Sequence, residues 1–150
     1  LYKYVGTVTS VTLDDTTLHP TGSIEVTLSD LYCYSIAQQK TGTGKTVAFI
    51  DYDSEFPNVP LSVEFTPSSA ISVFQMTSNQ SKRFLLNQSV SAGKKVVVDF
   101  ETLSCTVNGA NVLSSVSLNS NFADFTIDKN TVLTFNADGR YLVRFEVKKL

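Results

Sequence analysis

The chain has 150 residues, of which 42% are apolar, and a formal net charge of −2. That is enough apolar content for a self-sufficient core in one domain, or in one domain with a fragment of another, and it argues against a disordered chain. Its twelve basic and fourteen acidic residues are interspersed, which gives no electrostatic reason to propose nucleic acid or an anionic membrane as partner. No apolar run approaches the ~20 residues that span a bilayer, and no basic region followed by an apolar stretch opens the chain. It begins with Leu1 rather than Met, which reads as a processed or excised piece.

Taken in order, residues 1–13 read as one long strand, with Tyr2, Tyr4, Thr7, Val8 and Val11 supplying β-propensity and Gly6 a bulge or bend. Asp14-Asp15-Thr16-Thr17 and His19-Pro20-Thr21-Gly22 read as turns. Ser23 to Leu28 alternates, with Ile24, Val26 and Leu28 on one side and Glu25 and Thr27 on the other. Ser29-Asp30 interrupts this pattern and Leu31 to Ile36 resumes it, giving a small antiparallel unit. Ala37 to Thr46, AQQKTGTGKT, is polar and aperiodic and reads as a linker or long loop.

From Thr46 onward short strands recur: Thr46 to Tyr52, Pro60 to Phe65, Ala70 to Met76, Lys82 to Leu86, Lys95 to Phe100, Leu103 to Val107, Ala110 to Leu113, Phe122 to Ile127, Thr131 to Asn136 and Arg140 to Val147. The strongest local instruction is KKVVVDFETLSCTVNGANVL, residues 94–113. There Asn108-Gly109 predicts a type I′ hairpin turn, because both positions must take φ > 0. Val96, Val98 and Phe100 share a dry face, as do Leu103, Cys105 and Val107 on the next strand. Asp138-Gly139 predicts a further turn joining a final hairpin. Short strands separated by Gly, Pro and Asn at these intervals define an all-β, antiparallel β-sandwich or barrel.

Candidates for chemistry are few. His19, the single histidine, stands before Pro in a turn, a poor place for a general base. With Cys33 and Cys105 it makes no zinc-ligand spacing; the two cysteines sit at apolar strand positions and read as buried free thiols, with an inter-strand bridge as the alternative. Asp99 with Glu101, or Asp51 with Asp53, has the pairing a glycosidase needs, but fourteen acids on a β-rich surface produce such pairs by chance. Asp51, Asp53 and Glu55 are spaced by two as in a calcium loop, yet lack its Gly and distal Glu, so a solvated turn is the better reading. Gly42 to Thr46 imitates a phosphate loop, but Gln39 stands where the leading Gly belongs and a strand rather than a helix follows. Asn79 and Asn87 fit the glycosylation pattern, which matters only in a eukaryotic secretory setting. Tyr34, Tyr52 and Tyr141 are the candidates for stacking on a sugar ring in a chain without Trp, while most Phe read as core. No catalytic, cofactor or metal site is expected.

The chain carries, in order, Asp30-Leu31-Tyr32-Cys33-Tyr34-Ser35, Phe56-Pro57-Asn58-Val59-Pro60-Leu61, Val96-Val97-Val98-Asp99-Phe100, Cys105 through Leu113 with its central Asn108-Gly109, and Asn121-Phe122-Ala123-Asp124-Phe125. This succession of short motifs resembles the distal tail proteins of long-tailed bacteriophages. Leu31 departs from the Pro common there. The resemblance implies that residues 1–38 are the closing strands of an N-terminal belt-like domain, and that 39–150 form a galectin-like, jelly-roll type sandwich. The chain would then be the C-terminal portion of a longer protein. It implies a non-enzymatic virion component, made in the bacterial host cytoplasm and hexameric when full-length. Such a protein joins the tail tube to the tail-associated hub and receptor-binding proteins of the baseplate. The alternative is a carbohydrate-binding module contacting a cell-surface saccharide.

Overall fold

The computed structural model describes residues 1–14, 16, 20–50 and 52–150. Among these it contains no α-helix. Eleven strands follow one another: β1 Tyr2–Asp14, β2 Thr21–Ser35, β3 Gln38–Ala48, β4 Ser62–Pro67, β5 Phe74–Ser78, β6 Arg83–Leu86, β7 Val96–Asp99, β8 Ser104–Val107, β9 Ala110–Asn111, β10 Val132–Phe145 and β11 Lys148–Lys149. A single 3-10 turn, Leu113–Ser115, follows β9. Every strand pairing is antiparallel.

Two sheets result, one of three strands in the order β1-β2-β11 and one of eight. The second is one hydrogen-bonded sheet curled on itself, and β10 is the strand that turns the corner. Its first half pairs with β5 through Leu133, Thr134 and Phe135, and its second half with β4 from Gly139 to Arg144. β3 runs along its other edge, breaking register between Thr134 and Gly139, where β10 bends. The inner faces of β4 and β7 thus come to lie over those of β5 and β6. Phe65 stacks on Phe135 at 4.5 Å between ring centroids, and the aromatic chain continues through Phe74, Phe84 and Phe100. Eight of the ten phenylalanines are buried, which is the core role expected of them.

The structure departs from the sequence reading most at three elements. Residues 37–46 are not a linker, since Gln38–Ala48 is a full strand. Its inward positions, Gln38, Lys40 and Gly42, lie opposite Phe145, Val143 and Tyr141; being polar or glycine, they carry no apolar alternation, and the segment is extended because the edge of β10 holds it. Asp138-Gly139 is not a hairpin turn. Leu133, Phe135, Ala137, Gly139, Val143 and Phe145 are all buried while Thr134, Asn136, Asp138, Arg140 and Arg144 are exposed, so one strand alternates straight through. Phe122 to Ile127 is not a strand but an irregular plug, with Phe122 against Phe84 at 5.1 Å, Phe125 against Phe100 at 5.5 Å, and Ile127 bridged to Asn58.

The central hairpin is as expected. Val107 pairs with Ala110 across Asn108 (φ 50°) and Gly109 (φ 85°), both positive as a type I′ turn requires. Val96, Val98 and Phe100 are buried together with Cys105. Leu103 differs: the link between β7 and β8 is longer than its sequence suggests, and Leu103 (φ 51°) is turned outward in it.

Candidate docking surface

β1 and β2 form a two-stranded ribbon that stands off the sandwich, with β1 exposed along nearly its whole length. Gly6 faces Leu28, Val8 faces Val26, Val11 faces Ile24 and Leu13 faces Gly22, and directly opposed residues project to the same side. Val8 and Val11 are three apart, so plain alternation would place them on opposite sides. The register irregularity between Val8 and Ser10 inserts Thr9 as an extra residue and returns them to one side. One face therefore carries Val8, Val11, Leu13, Ile24, Val26 and Leu28, and the other Thr7, Ser10, Thr12, Ser23, Glu25 and Thr27, with the Thr12 and Ser23 hydroxyl oxygens 2.6 Å apart. The alternation read from Ser23 to Leu28 is present, but its apolar side is not core: the six residues are between 46% and 72% exposed. A lone two-stranded ribbon is marginal in water, and a contiguous apolar patch on it marks an interaction surface.

The root of the ribbon is tied to the sandwich. β11 adds to β2 through Lys148 opposite Tyr34 and Lys149 opposite Cys33. The Ser35 N–H donates to the Val147 carbonyl and its hydroxyl accepts from the Val147 N–H, both at 2.9 Å. Tyr52 and Asn58 each donate to the Glu146 carbonyl, at 2.6 and 3.2 Å. The Lys148 ammonium lies 3.9 Å from the centroid of the Tyr32 ring, a close cation–π contact. Tyr34 donates to Asp30 at 2.6 Å, which together with the Tyr32 N–H holds the Asp30 carboxyl below its ordinary value. Burial, reinforced by Asp30, pushes the Tyr34 hydroxyl up to about 12.

Among the described residues, the side chains nominated for chemistry do not converge. Asp99 accepts from the Thr102 N–H at 2.8 Å and shapes the β7–β8 link, with Glu101 exposed beside it. Asp53 is paired with Lys149 at 2.5 Å, and Glu55 accepts from the Leu150 N–H at 3.2 Å; Asp51, Asp15 and His19 lie outside the described residues. Both cysteines are buried and unbridged. Gly42 to Thr46 belongs to β3 rather than to a phosphate loop. Asn79 uses both ends of its amide, donating to the Asn130 carbonyl and accepting from the Val132 N–H, so it is a structural bridge. Of the tyrosines proposed for sugar stacking, Tyr52 is buried, Tyr34 is engaged by Asp30, and Tyr141 stacks on Phe135 at 5.9 Å. The ribbon's apolar face was missed because alternation announces two faces without saying whether anything covers the apolar one.

The fold is thus a curled antiparallel sandwich carrying a ribbon that is hydrogen-bonded to it at the root and apolar on one exposed face. Residues 53–147 match the model of the C-terminal domain of the siphovirus-type tail component family, and the chain belongs to that family. No curated protein matches it. Among solved structures it is similar to the SPP1 Dit protein, described as a paradigm of the hub adsorption apparatus in phages infecting Gram-positive bacteria, with a TM-score of 0.74 and 14% identity over 99% of this chain. The match spans 61% of that protein's length.

Proposed function

We propose that this chain serves in the virion as part of a distal tail or baseplate hub subunit, joining the tail tube to the host-adhesion device, and that it catalyses no reaction. The observation that carries this reading is the exposed apolar face of the ribbon on a sandwich whose own core is complete, set beside membership of a tail-component family. In this reading residues 1–38 belong to a belt-like assembly unit and 39–150 to a galectin-like body that projects from it. The full-length protein forms a homo-hexameric ring after synthesis in the host cytoplasm. Ring assembly would cover Val8, Val11, Leu13, Ile24, Val26 and Leu28 while the hydroxyl-rich reverse face stays in water. The rigid root transmits position from the ring to the sandwich, where tail-associated and receptor-binding proteins attach.

Electron microscopy of the full-length protein tests this. Six-fold rings are expected. Val11→Asp combined with Ile24→Asp should abolish them while leaving sandwich stability within about 0.5 kcal/mol, as for other exposed sites. A full-length protein that stays monomeric at micromolar concentration, or rings indifferent to both substitutions, would refute the role given to the ribbon.

A further inference from the structure

The outer surface of β3, β10 and β4, which shares no lining residue with the ribbon's apolar face, carries a groove that the reading above leaves unused. It is made of two depressions, of about 450 and 360 Å³, that share Thr66 and Arg140 as lining residues and so run into one another. Arg140 sits between Thr43 of β3 and Thr66 of β4, its directly paired neighbours, so both threonine side chains project to its side of the sheet from strands about 4.8 Å away. Arg144 projects from the same face four residues further along the strand, about 13 Å away at strand rise.

The electrostatics select the occupant. The acids beside the groove are already taken: Glu64 by Lys95 at 2.8 Å, and Asp138 by Lys45 at 3.8 Å. Among the described residues, neither the Arg140 nor the Arg144 guanidinium makes a hydrogen bond or ion pair. In a chain of net charge −2, the unspent charge on this face is therefore positive, in the planar form suited to a carboxylate. Backbone geometry also keeps the floor open. Gly44 (φ +118°) and Gly93 (φ +74°) line the larger depression in conformations that side chains rarely adopt, and a Cβ at either would meet no atom within 4 Å and would project into open space. Among the described residues, Tyr141 is the one aromatic that lines either depression, and its ring is engaged in stacking on Phe135, which argues against a sugar.

We propose that this groove, with the strand face that continues past it to Arg144, binds an extended acidic peptide segment of a partner protein, with one carboxylate on Arg140 in the groove and another, four residues away in extended chain, on Arg144 beyond its end. Acidic residues at that spacing in an extended chain have Cα atoms also about 13 Å apart, the same repeat as the two arginine positions on β10. The threonine hydroxyls and the exposed glycine backbone serve the intervening peptide groups.

The probe is a synthetic peptide of Ser and Thr with Glu at two positions four apart, titrated into the isotope-labelled chain and followed by NMR. Shifts are expected at Thr43, Gly44, Thr66, Gly93 and Arg140. Affinity should fall about tenfold in Arg140→Gln or Arg144→Gln, as for removal of a charge-assisted contact, and it should weaken with added salt. Both arginines are exposed, so the variants should melt with the parent chain, and matched melting is part of the expected result. The proposal fails if the Gln-for-Glu peptide binds equally well, if the double arginine variant binds unchanged, or if a neutral oligosaccharide rather than the peptide shifts these residues. None of these outcomes depends on ring assembly, so the two readings stand or fall separately.

Discussion

Gly42 lies directly beneath the ring of its cross-strand partner Tyr141, so closely that a Cβ at Gly42 would stand 2.4 Å from the tyrosine hydroxyl oxygen. The ring cannot swing aside freely, because it is stacked on Phe135, which is stacked in turn on Phe65. Gly42→Ala should therefore destabilise the sandwich by about 1–3 kcal/mol, the usual cost of overpacking. Denaturant unfolding measures it. In a Tyr141→Ala background the same substitution should cost much less, and a strictly additive double-mutant cycle would show that the contact is not the cause.

The joint between ribbon and sandwich depends on Ser54. Its buried hydroxyl accepts from the Lys148 N–H at 2.9 Å and lies within donating distance of the Phe56 and Lys148 carbonyls, at 2.7 and 3.0 Å. Ser54→Ala leaves a backbone N–H without its partner and should cost about 1–3 kcal/mol. Lys3 is ion-paired with Glu146 across the same joint, but its side chain is half exposed, so Lys3→Ala should cost no more than about 1 kcal/mol. Hydrogen exchange at the Lys148 amide separates the two: it should accelerate in the first variant and hold in the second.

These two sites show what could be read from the residues and what could not. The all-β antiparallel class, the Asn108-Gly109 turn and the buried Val96, Val98 and Phe100 follow from local rules of alternation and positive φ, and they are as expected. β3 was illegible because its strand character resides in β10: a segment facing inward with Gln38, Lys40 and Gly42 has no apolar period of its own. β10 was legible and was misread, since Asp138-Gly139 looks like a turn to a local rule although the alternation of its neighbours runs uninterrupted on both sides. The ribbon's two faces were half legible. Ile24, Val26 and Leu28 announce an apolar side, but the Thr9 irregularity that brings Val8 and Val11 to the same side depends on pairing, as does the absence of a cover.

Cys105 is fully buried opposite Val98, and burial pushes its thiol up to about 11. Because the thiolate is the reactive form, iodoacetamide at mildly alkaline pH should leave Cys105 unmodified in the folded chain over a period that labels it completely in denaturant. Work in a Cys33→Ala background assigns the signal to one thiol. Prompt labelling of the folded chain, with unfolding shown to be slow, would mean that the β7–β8 hairpin opens independently of the core.

Asp128 organises the turn that leads into β10, and it gives the fold a dependence on acid. Its carboxylate accepts from the Asn130 N–H at 2.8 Å, from the Gln80 side-chain amide at 2.7 Å and from the Thr131 hydroxyl at 3.0 Å. Burial alone would raise its pKa, but these hydrogen bonds together outweigh it and hold the carboxyl below its ordinary value. A group whose folded pKa is depressed stabilises the fold above its unfolded pKa, about 3.9 for Asp, and that contribution is lost as pH falls through the lower folded value. Asp128→Asn should accordingly be less stable than the parent chain at neutral pH. The gap between the two urea midpoints should then narrow below about pH 3.9 and close once the folded-state carboxyl is protonated. A gap that stays constant from neutrality down to about pH 2 would place the contribution of this residue in its shape rather than its charge.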